Sequence, residues 1–284
     1  MTKSQLIPMN GIIEIPGHYY LKNDRITRGK YNIRIECSHV SIDLNRRSLQ
    51  TIPEDPNKDY FGIYAPNLSN IHIYGGTIEG ATVGIQALCA QKLHAEHLIF
   101  QQCRYMGINF GGSDSHIHHC EFVSIGGSDR ESYSVGINTS DAENPLIENN
   151  HFYEIYRNGC RSMHGEGVAI LLGHDTFNAH IKNNLCTNEE IQKNTFGIWA
   201  MGENHYIQSN IIQNFQKGIV MSHSLAEDNI LVLKRQDSKA VGISGIKSIS
   251  KKNILVNYQD SYGEKDPGYK AEDEKIFQLE DLVF

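Results

Sequence analysis

The segment RNGCRSMHGE, residues 157 to 166, holds the densest set of groups able to do acid–base chemistry: Arg157, Arg161, His164 and Glu166. With His164 as base and Arg157 or Arg161 as clamp, it would suit proton abstraction beside a carboxylate. Ca²⁺ or another cation would then stabilise the enolate-like intermediate. A second set is dispersed along the chain: Asp114, Asp141, His174 with Asp175, Glu203 with His205, and His223. Two of these carboxylates held roughly 5–10 Å apart would have the separation of paired acids acting at a glycosidic bond. Fourteen histidines raise the question of a metal. His118 and His119 are too close for two ligands on one strand face, and no H-E-x-x-H occurs, so no dedicated metal site and no cofactor other than Ca²⁺ is expected.

Groups this far apart in sequence need a regular scaffold to meet, and a repeat supplies one. A Gly followed by Ile or Val recurs at Gly62, Gly84, Gly107, Gly136, Gly167, Gly197, Gly218 and Gly242, at spacings of 22, 23, 29, 31, 30, 21 and 24 residues. Periods in this range belong to solenoids, whose units bury their faces only by stacking. The unit GINTSDAENPLIENNHFYEIYRNG reads as strand, polar turn, strand, Asn-Asn bend, strand. Aligned on the third strand, Asn150, Asn184 and Asn210 share one position, expected to adopt a left-handed backbone and to form a ladder of amides. Ile exceeds Leu by roughly two to one, which disfavours leucine-rich repeats and favours strands. Asn-Gly hairpin turns are too few for a β-sandwich. The expected fold is therefore all-β: a single-stranded parallel β-helix of about nine to ten coils, three strands per coil. Residues 1–284 form one domain, with 1–20 as N-terminal cap, 21–258 as coils and 259–284 as a C-terminal cap. Ile276, Phe277, Leu279, Leu282 and Val283 give that last segment an amphipathic pattern.

The opening stretch IPGHYYLKNDRITRGKYNIRIECSHVSIDLNRRSL, residues 15 to 49, resembles the first coils of the pectate-lyase-like superfamily, where P-G-x-Y-x-L precedes V-x-I-D-L-N. With the glycine repeats, the resemblance covers residues 12 to about 258. It implies a right-handed helix whose first-strand face carries the function. The superfamily includes lyases, epimerases, hydrolases, tailspikes and non-catalytic binding proteins, so fold alone does not select an activity. The D-P-H motif of alginate epimerases and the N-T-D and G-H-G motifs of polygalacturonases are absent.

Alternation along each Gly-Ile strand assigns Ile and the residue before Gly (Phe61, Val83, Met106, Val135, Phe196) to the interior. The glycines would then form a bare outer strip beside Tyr64, Gln86, Asn109, Asn138, Ala169, Trp199 and Val220, flanked by Tyr105 and Tyr133: a floor for an extended ligand. Three insertions, GGSDRESYSV, RNGCRSMHGE and NEEIQKNTF, enter this face as loops. Glu166 would occupy an inward position, an expensive place for a carboxylate. A carbohydrate-active enzyme (lyase, epimerase or hydrolase) fits these features. So do a glycan-binding or tailspike-like module and an isomerase or cyclase holding a small molecule over Trp199 and Tyr133.

The formal charge of −7 and scattered Lys and Arg exclude a broad nucleic-acid or membrane footprint; a polyanion would need a local basic patch. No apolar run reaches the roughly 18 residues of a membrane span and no signal peptide is evident. A cytoplasmic location is expected, or a virion for a phage protein, as monomer or homo-oligomer. The six cysteines, lacking any C-x-x-C, are expected to be reduced and buried.

Overall fold

In the computed structural model, which describes residues 4–128, 130–156, 165–237, 239–258 and 268–278, successive strands pair in parallel, coil upon coil. Three faces result. The first carries the Gly-Ile strands, such as Phe61–Tyr64, Val83–Ala87 and Glu166–Leu172. The second carries His116–His118, Leu146–Glu148 and His180–Lys182. The third carries Glu121–Ile125, His151–Ile155 and Ile230–Val232. Ile85, Ile108, Ile137 and Ile170 lie in register and fully buried. Each such side chain contributes about 1.5–3 kcal/mol relative to exposure, and a β-branched residue fits the pleat without extra rotamer cost.

The glycines do line up from coil to coil, but they face the core. A Cβ on Gly84 would lie 2.6 Å from Phe100 Cδ1, and one on Gly136 would lie 2.6 Å from Phe152 Cδ1. The reason is on the third face, where Phe100, Phe122 and Phe152 stack at 4.8 and 4.7 Å and fill the space a first-face side chain would need. One coil that breaks the pattern fits the same account. Pairing of Val135 with Val168 and Ile137 with Ile170 puts Ala169, not Gly167, beside Gly136. In that coil the third face offers the smaller Cys186 where its neighbour has Phe152. Gly107→Ala should therefore destabilise the protein by about 2–3 kcal/mol in urea unfolding, because the new methyl meets Phe122 at 2.5 Å and the Gly136 carbonyl oxygen at 2.7 Å. Unchanged stability would mean that the glycines face solvent.

The ends also differ from expectation. Gln5–Leu6 pairs with Gly17–Tyr20, and Ile12–Ile13 with Tyr31–Ile35, so the first twenty residues contribute strands to the stack. Lys270–Glu272 and Lys275–Phe277 likewise continue the second and third faces. Backbone groups at an open coil edge are better satisfied by another parallel strand than by an amphipathic cover. Leu279, Leu282 and Val283 lie outside the described residues.

The amide ladder extends further than three residues: Asn150, Asn184, Asn210, Asn229 and Asn253 bond in sequence, side chain to backbone and side chain to side chain, at 2.8–3.1 Å. These asparagines are not left-handed. The positive φ falls one residue earlier, at Asn149, Asn183, Ser209, Asp228 and Lys252, which turns the next side chain into the core. Cys103, Cys120 and Cys186 are buried free thiols and Cys37 is partly so, whereas Cys89 is exposed. Cys160 lies outside the described residues.

Candidate functional site

The apolar residues before the glycines are buried as expected, except the half-buried Phe61, but they pack apart from the main core. Val83, Met106, Val135 and Phe196, each before a glycine, and Val168, before Ala169, form a second apolar cluster. Partly exposed Phe61, Tyr105, Tyr133, Trp199 and Val220 pack onto it. The first face is therefore paved with side chains rather than bare.

The outer row itself is as expected except at one rung. Tyr64, Gln86, Asn109 and Asn138 are in register, followed by Leu171, Trp199 and Val220. Leu171 takes the place expected for Ala169, which is buried in the core. Asn138 donates to Asn109 at 2.8 Å and Asn109 to Gln86 at 3.1 Å. Aromatic rings bracket these amides. On one side Tyr31, Phe61 and Tyr64 lie at centroid distances of 4.8–5.7 Å. On the other, Phe196 stacks on Trp199 at 4.5 Å. Five rungs separate Tyr64 from Trp199, about 24 Å at the usual strand spacing.

Glu166 pairs with Tyr133, two residues before the apolar position, and is half-buried at the rim rather than inside. The expected inward placement fails because it was counted from Gly167. Burial holds its carboxyl above the usual carboxylate range, with Lys217 acting in the opposite sense. Lys217 is the residue that does break the pattern: it stands one coil beyond Phe196 in the same row, its Nζ 4.4 Å from the Phe196 ring centroid. Tyr105 and Tyr133 lie beside this rim at 5.5 Å, and burial raises the Tyr105 hydroxyl. Arg157, Arg161 and His164 lie outside the described residues.

The opposite lip is divided. Asp114 aligns with Asn144, which donates to it at 3.3 Å, and the same corner continues through Asn178, Asn204 and His223, all left-handed. Asp141 aligns instead with Asp175, since Ala142 pairs with Thr176, placing these exposed carboxylates on adjacent rungs. His174 is exposed next to them, and Glu203 is exposed beside Phe177. His205 is buried: Nδ1 accepts the Ala179 N–H at 3.2 Å and Nε2 donates to the Met201 carbonyl at 2.6 Å. It holds a corner and is not on the ligand surface. Glu166 and Asp175 do not converge, because the strand Glu166–Leu172 alone puts about 20 Å between the lips.

Two further features were not foreseen. The first insertion folds back so that Arg130 bonds Asp59 at 2.6 Å and Glu131 at 3.0 Å. It joins Arg28, Lys30 and Lys58 around a pocket of about 380 Å³, at the Tyr31–Phe61 end of the face. Arg28 also faces Glu54 and Lys58 faces Asp55, so the cluster is one of mixed charge assembled from residues far apart in sequence. The third insertion is no loop, since Leu185–Ala200 is one irregular strand pairing with Ile211–Ser222.

The model of the right-handed β-helix region matches residues 57–232. No curated protein matches the chain in sequence. Among solved structures, the Dettilon tailspike protein superposes with TM-score 0.63 at 13% identity, over 98% of this chain and 60% of its own. The GH136 lacto-N-biosidase from Eubacterium ramulus gives 0.66 at 13%, over 89% of this chain and 51% of its own. The endo-xylogalacturonan hydrolase from Aspergillus tubingensis gives 0.53 at 9%, over 95% and 85%. The chain thus spans half to three-fifths of the first two, and at these identities the likeness is one of fold. Parallel coils, inward glycines and a match over more than half its length agree: this chain belongs to the right-handed β-helix family, with the pectate-lyase-like architecture that residues 15–49 resemble.

Proposed function

We propose that the first face binds an extended oligo- or polysaccharide. The observation that carries this reading is the continuous outer row, with amides between two aromatic platforms. Sugars present apolar ring faces to aromatics and hydroxyls to amides, so a row that holds both partner types suits such a chain. Lys30, with its ammonium over the Tyr31 and Phe61 rings, offers a cation to an acidic group of the glycan at that end. A tailspike protein crystallised with a pentasaccharide shares the fold, with TM-score 0.61 at 13% identity. A virion role would be in keeping with that kind of relative.

Binding is tested on an array of acidic and neutral glycans, followed by titration of the best ligand. Trp199→Ala and Tyr64→Ala, at opposite ends of the row, should each weaken it about tenfold, the scale of one lost stacking platform. An effect at one end alone would reduce the groove to a local pocket, and no glycan binding at all would end the proposal.

A second reading adds catalysis, and Glu166 favours it: a half-buried carboxyl beside Tyr133, which burial makes a weaker acid than an exposed one, can serve as a general acid. Release of reducing ends would mark hydrolysis, and absorbance near 232 nm would mark β-elimination from a uronate. Silence in both, with binding intact, leaves the binding module alone.

A further inference from the structure

The second face carries a cluster with no part in the groove. His72, His94 and His116 lie in register on three consecutive coils, their rings stacked at 4.5 and 5.3 Å. His118, two residues after His116, turns back so that its Nε2 is 2.7 Å from His94 Nε2. Glu96, in register with His118, bonds His72 Nε2 at 2.8 Å and lies 3.6 Å from His118 Nε2. One donor atom from each of His94, His116 and His118 falls within 4.8 Å of the others, and the same holds for His72, His94 and Glu96.

We propose that His94, His116 and His118, completed by Glu96, form a binding site for one borderline transition-metal dication, Zn²⁺ in the first instance. Three imidazoles and a carboxylate are the donor set that such ions take, and hard ions such as Ca²⁺ and Mg²⁺ decline it in favour of oxygen. Ligands on tetrahedral zinc sit about 3.3 Å apart for bonds of about 2.0–2.1 Å. The His94–His118 contact needs to open by only about half an ångström, within reach of side chains that are partly exposed. Outer partners of the kind that orient metal ligands are present. His118 Nδ1 faces His119 Nδ1 at 2.7 Å, and Glu148 bonds His116 at 2.9 Å while also holding Lys182 at 3.0 Å. The reading of His118 and His119 as too close in sequence considered one strand alone. The ligands come instead from adjacent coils, a spacing that stacking creates and linear motifs do not contain.

Because the site joins neighbouring coils on a face apart from the groove, the ion acts as a clamp, and its binding stands independently of glycan recognition. The test uses the full chain, free of any histidine tag and stripped with chelator, titrated calorimetrically with Zn²⁺ alone. One equivalent should bind with a dissociation constant on the order of micromolar or tighter, raising the melting temperature. Co²⁺ should give the visible absorption of a tetrahedral site, and Ca²⁺ should give no heat. His94→Asn and His118→Asn should each weaken Zn²⁺ at least a hundredfold with circular dichroism unchanged, whereas His18→Asn, at an exposed histidine elsewhere, should have no effect. Should either ligand variant misfold, His116→Gln carries the same expectation. Failure of Zn²⁺ to bind, or affinity indifferent to these substitutions, overturns the site.

Discussion

Glu166→Gln is expected to lower turnover of any glycan the protein cleaves by at least a hundredfold, while raising the melting temperature at neutral pH. Both effects come from the same burial. The unfolded chain releases the Glu166 proton near the ordinary value of 4.5, and the folded protein releases it at higher pH. Between the two, the folded state holds more protons, so the stability associated with that proton is present in full below the unfolded value and is lost as pH rises through the folded one. Gln keeps the neutral form at every pH. The stability gap between variant and wild type should therefore close near pH 4 and open toward pH 7. Lys217 limits the gap, since its charge favours the carboxylate. Melting curves at several pH values, alongside initial rates, separate the two claims. Wild-type turnover in the variant removes Glu166 from the chemistry, and a gap that does not vary with pH removes the buried carboxyl.

How much of this was legible in the sequence depends on whether one strand or several set the property. The period of Gly-Ile pairs exposed the solenoid, since every coil must bury the same positions. The amide row Gln86, Asn109, Asn138 followed from register alone. Side-chain direction at the glycines did not, because it depends on Phe100, Phe122 and Phe152 across the core, which occupy the room a Cβ would take. The same dependence misplaced Glu166. Gly167 matches the motif, yet Val168, Ala169 and Ile170 match the packing, and packing decides. The pocket around Arg130 was invisible for another reason: Arg130 meets residues 57–59 from 71 or more positions away, through an insertion with no repeat to predict its path. His205 looked like a surface ligand because turns are polar, but its ring bonds to two backbone groups that a corner leaves unpaired.

The largest stability effect should come from the ladder rather than from the apolar core. Asn184 donates to the Ile147 carbonyl at 3.0 Å, and its Oδ1 accepts both the backbone and the side-chain N–H of Asn150, at 3.0 and 3.1 Å. Asn184→Ala leaves these buried groups without partners, at about 1–3 kcal/mol each where water cannot enter, so a total of about 3 kcal/mol or more is expected. In a chain of this size that corresponds to a fall of about 6–10 °C in melting temperature. Asn210 supplies the next rung and shares a bond of 3.0 Å with Asn184. The pair Asn184→Ala and Asn210→Ala should consequently cost less than the sum of the single changes, since the second removes a partner already lost. Because each coil touches only its neighbours, amide exchange should accelerate first around residues 147–150 and 181–185, with distant coils retaining protection. Strict additivity, or exchange that rises uniformly along the stack, would show that the asparagines act as separate residues and that coil-to-coil cohesion lies in the isoleucines instead.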